Sequence, residues 1–219
     1  MVPVVRRASG GGLIALVKGS FVVVSTARLE AFSDAVVAIL MTIMVLELKI
    51  PHGSSFGALR PLVPIGLTYV LSFVNLGIYW NNHHHMLQLV DRVNGAILWA
   101  NLHLLFWLSL VPVSMGWMGT NGFTTLPTVG YGVVLLLAAL AYYLLQRAII
   151  AEQGSDSRLR RAIGDDWKGK ASPALYVVAI AVALWNRWVA VALYAAVALM
   201  WLIPDRRVER ALAEDGGTG

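Results

Sequence analysis

Four ionisable side chains lie inside, or at the edges of, strongly apolar stretches of the sequence. They are the carboxyl groups of Asp34 and Glu47 and the imidazoles of His84 and His103. Placing a charge in a membrane span costs at least about 2.5 kcal/mol, so such groups usually face protein or water and mark ion or proton pathways. Asp34 and Glu47 also lie about one turn from the ends of their stretch, where an interfacial position explains them equally well.

A second pattern lies on the same stretch. Ala35, Ile39, Thr42, Leu46 and Lys49 recur at helical spacing and fall within one narrow stripe of a helix. The stripe is apolar with one hydroxyl near its middle, which suits packing against a neighbouring helix or a narrow pore gated by hydrophobic side chains. Periodicity alone favours packing. In a pore, Lys49 would oppose cations unless its long stem carried the charge outward.

Three adjacent histidines, His83 to His85, suggest a metal site. On one helix they point in different directions and cannot chelate an ion together, so we expect one of them to bond to the first helix. The sequence has no nucleophile–base–acid set, phosphate loop or pair of catalytic carboxylates, and it has no cysteine. We therefore predict that the protein is not an enzyme and has no cofactor or bound metal.

Residues 128–132 spell TVGYG, the string whose backbone carbonyls form the filter of pore-loop potassium channels. The context argues against that role here. The preceding segment would have to be a short pore helix, yet it contains Gly119 and Gly122, and Pro127 comes directly before the string. We interpret Gly119–Gly130 as an exposed turn that leads into a helix.

The elements that carry these residues are predicted to be membrane-spanning helices. The 219 residues are 58% hydrophobic and only 13% charged, against about 25% charged in soluble domains. A span takes about 20 apolar residues. Six candidate spans occur, of which the last two are short enough to form a hairpin that does not fully cross. They are residues 31–50, 61–80, 95–118, 131–150, 172–185 and 188–203.

The basic residues alternate in number between the segments that join these spans. Those on the N-terminal side hold 14 of the 17 lysines and arginines, so the positive-inside rule places both termini in the cytoplasm. The same rule explains the net positive charge without a nucleic-acid partner. The predicted fold class is thus all-α and polytopic, with six transmembrane helices. We divide the chain into a flexible N-terminal arm (1–27), a transmembrane domain (28–204) and a cytoplasmic tail (205–219).

Three motifs resemble the transmembrane protein 175 family, which includes bacterial homologues of the lysosomal potassium channel. Residues 28–34 read Arg-Leu-Glu-Ala-Phe-Ser-Asp and match its RxxxFSD motif at the start of a first helix. Residues 80–84, Trp-Asn-Asn-His-His, are similar to its Trp-x-x-His pattern, and Asn101 to Pro112 resembles its third helix. The resemblance covers residues 28 to about 118, and the later helices match only in number and length.

The resemblance implies a homotetrameric, potassium-preferring channel in the plasma membrane, without a pore loop. The first helix of each subunit would line the pore, with the hydrophobic constriction at Ile39, Thr42 and Leu46. The motif residues would brace the cytoplasmic end of that helix in a polar network. They are Arg28, Phe32, Ser33, Asp34, Trp80, His83 and His84. The ionisable groups within the spans keep a proton-coupled secondary transporter as the alternative.

Overall fold

A computed structural model describes residues 25–202, apart from residues 155 and 165. This part of the chain is helical and contains no strand. Most of the predicted N-terminal arm and the whole predicted tail lie outside the described residues. The helices are α1 (Thr26–Ile43), α2 (Val63–Gln88), α3 (Gly95–Ser109), α4 (Val111–Thr120), α5 (Thr125–Gln153), α6 (Arg158–Ile163), α7 (Trp167–Ala183) and α8 (Arg187–Leu202).

Four helical stretches are long and apolar enough to cross a membrane. Short 3₁₀ segments extend two of them, at Met44–Glu47 after α1 and at Phe56–Leu62 before α2. α7 and α8 form a hairpin, in which α7 has 17 residues and the described part of α8 has 16, near the lower limit of about 17 residues for a span. The chain is thus a multi-pass helical protein, and its number of crossings depends on this hairpin. The four stretches are Thr26–Glu47, Phe56–Gln88, Gly95–Thr120 and Thr125–Gln153.

Pro112 divides the predicted third span into α3 and α4. Proline has no amide hydrogen, so the Leu108 carbonyl cannot receive the hydrogen bond that a continuous helix would give it from position 112. The Leu110 amide instead donates to the Trp107 carbonyl at 3.2 Å, as in a 3₁₀ turn. The third span is therefore two helices in series rather than one.

The predicted ends of two other spans were wrong. α2 continues past Trp80 to Gln88 and carries the three histidines on its last turns. α5 begins at Thr125 rather than at Tyr131, so the predicted turn of Gly119–Gly130 shrinks to the few residues between α4 and α5. Pro127 fits in the first turn of α5 because an amide there has no partner within the helix.

α5 is the central helix of the subunit and packs against α3, α4, α7 and α8. Tyr131, Leu135, Ala138 and Leu145 on this helix are fully buried, and the small residue among them lets neighbouring helices approach closely. α1 lies at the margin instead, against α2 and α3. The rest of the subunit therefore covers only one side of α1.

Candidate functional site

α1 buries one stripe of side chains and leaves the opposite side uncovered. Ile39 and Leu46 are 58% and 79% exposed, and Thr42 between them is exposed as well. These three residues face away from the other described helices of the chain, so packing within the chain does not explain the apolar stripe that the sequence shows. The buried residues recur every three to four positions. They are Leu29, Ser33, Val37 and Leu40.

The hydroxyl of Thr42 is already engaged within α1. Its Oγ1 donates to the carbonyl of Ile39 at 2.8 Å, so the hydroxyl hydrogen points back along the helix. A hydroxyl oxygen keeps acceptor lone pairs after it donates. Thr42 therefore presents an acceptor oxygen on the uncovered side of α1, between two apolar side chains.

Lys49 does not belong to this stripe, which corrects the prediction from spacing. The α-helical geometry of α1 ends at Ile43, and a 3₁₀ segment continues only to Glu47. Leu48 is extended, with φ −78° and ψ 109°. Position 49 thus lies beyond the helix, and the helical periodicity that grouped it with Leu46 does not apply there.

A buried chain of polar side chains joins α1, α2 and α3. His83 Nε2 lies 2.7 Å from Asn101 Oδ1, and Asn101 Nδ2 donates to Ser33 Oγ at 2.9 Å. The Ser33 hydroxyl in turn donates to the Leu29 carbonyl at 2.9 Å. Because an amide oxygen only accepts, His83 Nε2 carries the hydrogen of the first contact. From the sequence, Asn101 was named only as the start of a motif in the third span and was not included in the site.

Closer to the surface, a second set of contacts ties the same end of α1 to α2. Trp80 Nε1 donates to Asp34 Oδ1 at 3.0 Å. The Trp80 ring stacks on the imidazole of His84, with centroids 6.0 Å apart and planes 20° from parallel. His84 Nδ1 lies 2.6 Å from Glu30 Oε1. We call the two sets together the polar brace: Glu30, Ser33, Asp34, Trp80, His83, His84 and Asn101.

Glu30 is the member of the polar brace that sequence reasoning missed. The sequence could have indicated Glu30 by its position four residues before Asp34, which places both side chains on the same side of α1. One ligand atom each of Glu30, Asp34 and His84 lie within 4.8 Å of one another, and a divalent metal could use such donors. The hydrogen bond from Trp80 and the contact between Glu30 and His84 already engage these atoms. The brace therefore accounts for the cluster without an ion.

Two residues of the predicted network stand apart from the polar brace. Arg28 is exposed and Phe32 is 52% exposed. No side-chain hydrogen bond or ion pair among the described residues includes Arg28. The structure thus brings Ser33, Asp34, Trp80, His83 and His84 together, and it leaves these two on the surface of the subunit.

The TVGYG string lies in the first turns of α5, so it is neither a filter loop nor the exposed turn that we predicted. Thr128 and Tyr131 are fully buried. The Tyr194 hydroxyl donates to the Thr128 carbonyl at 3.2 Å, and the hydroxyls of Tyr131 and Ser72 are 2.9 Å apart. A Cβ atom on Gly132 would overlap the Tyr194 hydroxyl. The string serves close helix packing.

Comparisons with known proteins match this arrangement. The family model described as "Endosomal/lysosomal potassium channel TMEM175" matches residues 28–112, which include most of α1, all of α2 and α3, and the whole polar brace. The chain is 52% identical, over 188 residues, to a potassium channel of Chryseobacterium sp. (strain P1-3), covering 86% of this chain and 98% of that one. It is 30% identical to a potassium channel of Chamaesiphon minutus, covering 76% and 88% of the two chains.

The fold is also similar to a solved structure. This is the crystal structure of a lysosomal potassium-selective channel TMEM175 homologue from Chamaesiphon minutus, with a TM-score of 0.71. The two chains are 27% identical, and the match covers 82% of this chain and 97% of the other. The similarity therefore extends beyond the first three helices, where the sequence motifs lie.

Proposed function

Because the chain belongs to the TMEM175 family, it is a membrane cation channel, and we propose that it prefers potassium and conducts through a pore lined by α1. The observation that carries this proposal is the uncovered stripe of Ile39, Thr42 and Leu46. Apolar side chains this exposed need lipid or another subunit beside them. In a symmetric assembly, copies of the stripe would face one another across the axis.

The chemistry of the stripe suits a hydrophobic constriction. Rings of Ile39 and Leu46 would form a passage that resists wetting and so limits ion flow. Thr42 would supply the side-chain oxygens between them, and its hydrogen bond to the Ile39 carbonyl turns the acceptor side of the hydroxyl outward. Since each subunit offers only one such oxygen, we expect the preference for potassium over sodium to be modest.

The polar brace would hold one end of α1 while leaving the constriction free to change. Its contacts are confined to residues 29–34 of α1, below the stripe. At the other end α1 finishes in a short 3₁₀ segment. In this proposal the braced end anchors α1 to α2 and α3, and the channel works as a homotetramer in the plasma membrane with its braced end in the cytoplasm.

A flux experiment tests the channel and its ion preference. The full chain is reconstituted in liposomes with a potassium gradient, and the current is recorded at several voltages. We expect an uncoupled current that reverses close to the potassium equilibrium potential. Flux that strictly requires a proton gradient would instead establish the transporter. Native mass spectrometry of the same preparation tests the assembly, with an expected mass of four times the 23.8 kDa of one chain.

The alternative, a proton-coupled transporter, has less structural support. A proton relay needs its ionisable groups linked by hydrogen bonds. Asp34 and His84 belong to the polar brace, whereas His103 accepts a hydrogen bond from Trp107 within α3. Glu47 lies against Gly116 of α4. In the described part of the chain, no hydrogen bond joins the polar brace, His103 and Glu47 to one another.

A further inference from the structure

The uncovered side of α1 continues from the proposed constriction to the first turn of the helix. The residues that follow one another there at steps of three or four positions are all exposed, and they are Arg28, Phe32, Ala35, Ile39, Thr42 and Leu46. Those from 28 to 42 fall within about 80° of the helix circumference. Arg28 is therefore in line with the stripe, and it lies about 16 Å along the helix axis from Ile39.

The guanidinium of Arg28 has no counter-charge in the described part of the chain. The ion pairs among the described residues do not include it. The two acidic residues nearest to it in the sequence are Glu30 and Asp34. Glu30 contacts His84, and the Asp34 carboxylate accepts a hydrogen bond from Trp80. Both carboxylates thus belong to the polar brace, and the charge of Arg28 stays on the uncovered side of α1.

Arg28 also occupies a turn of the helix that does not favour a cation. α1 begins at Thr26 and has no acidic residue in its first turn. The unpaired amides at the start of a helix carry a partial positive charge, so a cation there lowers the stability of the helix. Local helix chemistry therefore does not explain an arginine at this position. The positive end of the helix dipole adds instead to the charge of the guanidinium.

The same position has an electrostatic effect if the stripe faces the axis of an assembly. Each subunit would then place one Arg28 side chain at the braced end of the pore, on the cytoplasmic side. Like charges around an opening with low-dielectric walls create a potential that repels ions of the same sign. Cations would be depleted at this mouth, which limits their exit from the cytoplasm more than their arrival from outside.

We propose that the Arg28 side chains form a positively charged ring at the cytoplasmic mouth of the pore and make potassium pass more readily into the cell than out of it. This inference rests on the proposed function, since the ring exists only if α1 lines the pore. The ring lies outside the constriction, so it acts on the supply of cations. The preference for potassium over sodium should not depend on it.

The test records potassium currents in inside-out patches from cells that express the full chain. In about 0.01 M salt, where the Debye length is about 30 Å, we expect the outward current to be about two to five times smaller than the inward current at equal voltages. Arg28→Gln removes the charge and should bring this ratio close to one. Arg28→Lys keeps the charge and should retain the ratio. In about 1 M salt, charges are screened within about 3 Å, and the variants should no longer differ.

Arg161→Gln is the matched control, because it removes the same charge from an exposed arginine of α6. We expect it to conduct as the wild type does.

A cysteine variant changes the charge after the protein has folded. The sequence contains no cysteine, so in Arg28→Cys a methanethiosulfonate reagent applied to the cytoplasmic side modifies one position. A cationic reagent should restore the wild-type ratio of the currents, and an anionic reagent should make the outward current the larger one.

The outcomes separate the ring from the pore. If Ile39→Asn alters the conductance but Arg28→Gln and the two reagents leave the ratio of the currents unchanged, the ring is wrong and the proposed pore stands. If the patches carry no potassium current, or if a folded Ile39→Asn channel conducts as the wild type does, the proposed pore is wrong and the ring with it.

Discussion

At the scale of single residues, Trp80 makes two contacts that one substitution can separate. Phenylalanine keeps a ring to stack on His84 but has no Nε1–H for Asp34. We expect Trp80→Phe to lower the free energy of unfolding in a detergent titration by about 0.5–1 kcal/mol, since the lost hydrogen bond is partly exposed to solvent. The potassium flux should change with it, because Asp34 belongs to the helix that we propose lines the pore.

Two controls sharpen this prediction. Trp99→Phe changes a tryptophan on α3 that is 75% exposed, and we expect a loss below about 0.5 kcal/mol. A double-mutant cycle with Asp34→Ala isolates the energy of the pair. Equal effects of the two tryptophan substitutions, or a coupling energy of zero with Asp34, would show that the hydrogen bond does not hold α1.

Gly132 tests the role of the TVGYG string. A methyl group there meets the Tyr194 hydroxyl and a side-chain carbon of Ile180, and overpacking of this kind typically costs about 1–3 kcal/mol. We expect Gly132→Ala to reduce the free energy of unfolding by that amount. Gly77→Ala on α2 has no atom within 4 Å of the added Cβ, so it should be neutral or slightly stabilising.

The two interpretations of the string predict different phenotypes for Gly132→Ala. A filter would lose its selectivity while the fold remained intact. A packing position loses stability, and any protein that still folds keeps its ion preference. Flux measured with potassium and sodium on the folded fraction distinguishes these outcomes, and a selective defect without loss of stability would contradict the packing role.

At the scale of elements, the prediction about the pore concerns α1. Ile39→Asn places a polar amide in the proposed constriction, where it would ease wetting. We expect a several-fold higher conductance and a weaker preference for potassium in liposome recordings. Val177→Asn makes a comparable change at a residue of α7 that is 54% exposed, and it should leave the current unaltered. An unchanged current in a well-folded Ile39→Asn channel would rule out this constriction.

The sequence located α1 approximately because its features are local, although the predicted span of 31–50 begins five residues after Thr26 and ends three residues after Glu47, where the 3₁₀ segment ends. An apolar stretch and a 3.6-residue period are enough to locate the helix and to group Ile39, Thr42 and Leu46 on one side. Lys49 was grouped with them wrongly, since periodicity does not show where α-helical geometry gives way to a 3₁₀ segment. The direction in which the side with Ile39, Thr42 and Leu46 points could be found only from the structure. Spacing alone favoured packing against a neighbouring helix, whereas this stripe faces away from the other described helices of the chain.

The errors at helix ends share a physical cause. The second span was predicted to end at Trp80, just before three histidines, His83 to His85, which are costly in lipid. In the structure His83 bonds to Asn101 and His84 contacts Glu30, so tertiary partners let α2 continue. The start of α5 was missed because Pro, Gly and Thr were interpreted as a turn. Pro127 is tolerated in the first helical turn, and Gly132 is required by Tyr194.

At the scale of the whole molecule, the hairpin of α7 and α8 decides how many times the chain crosses the membrane. The sequence contains no cysteine, so single cysteines can be placed in it without a further change. Trp185 lies in the turn of the hairpin and is 82% exposed, Trp167 begins α7 and is 60% exposed, and Phe56 precedes α2 and is 93% exposed. These three positions report on the two sides of the membrane.

With six crossings, an impermeant maleimide added to intact cells labels Trp185→Cys and Phe56→Cys, and it labels Trp167→Cys only after permeabilisation. This result would place the turn of the hairpin outside and the start of α7 inside, as the distribution of basic residues predicts. Labelling of Trp185→Cys in the same pattern as Trp167→Cys would show instead that the hairpin does not cross and that the chain has four spans.

The short helix α7 has a consequence for the lipid around the protein. α7 rises about 26 Å, whereas α5 rises about 44 Å, and the hydrocarbon layer of a bilayer is about 30 Å thick. Acyl chains beside a crossing hairpin must therefore compress relative to those beside α5. The protein then sits in an uneven annulus of lipid, and membranes built from shorter acyl chains would relieve the mismatch on one flank of it.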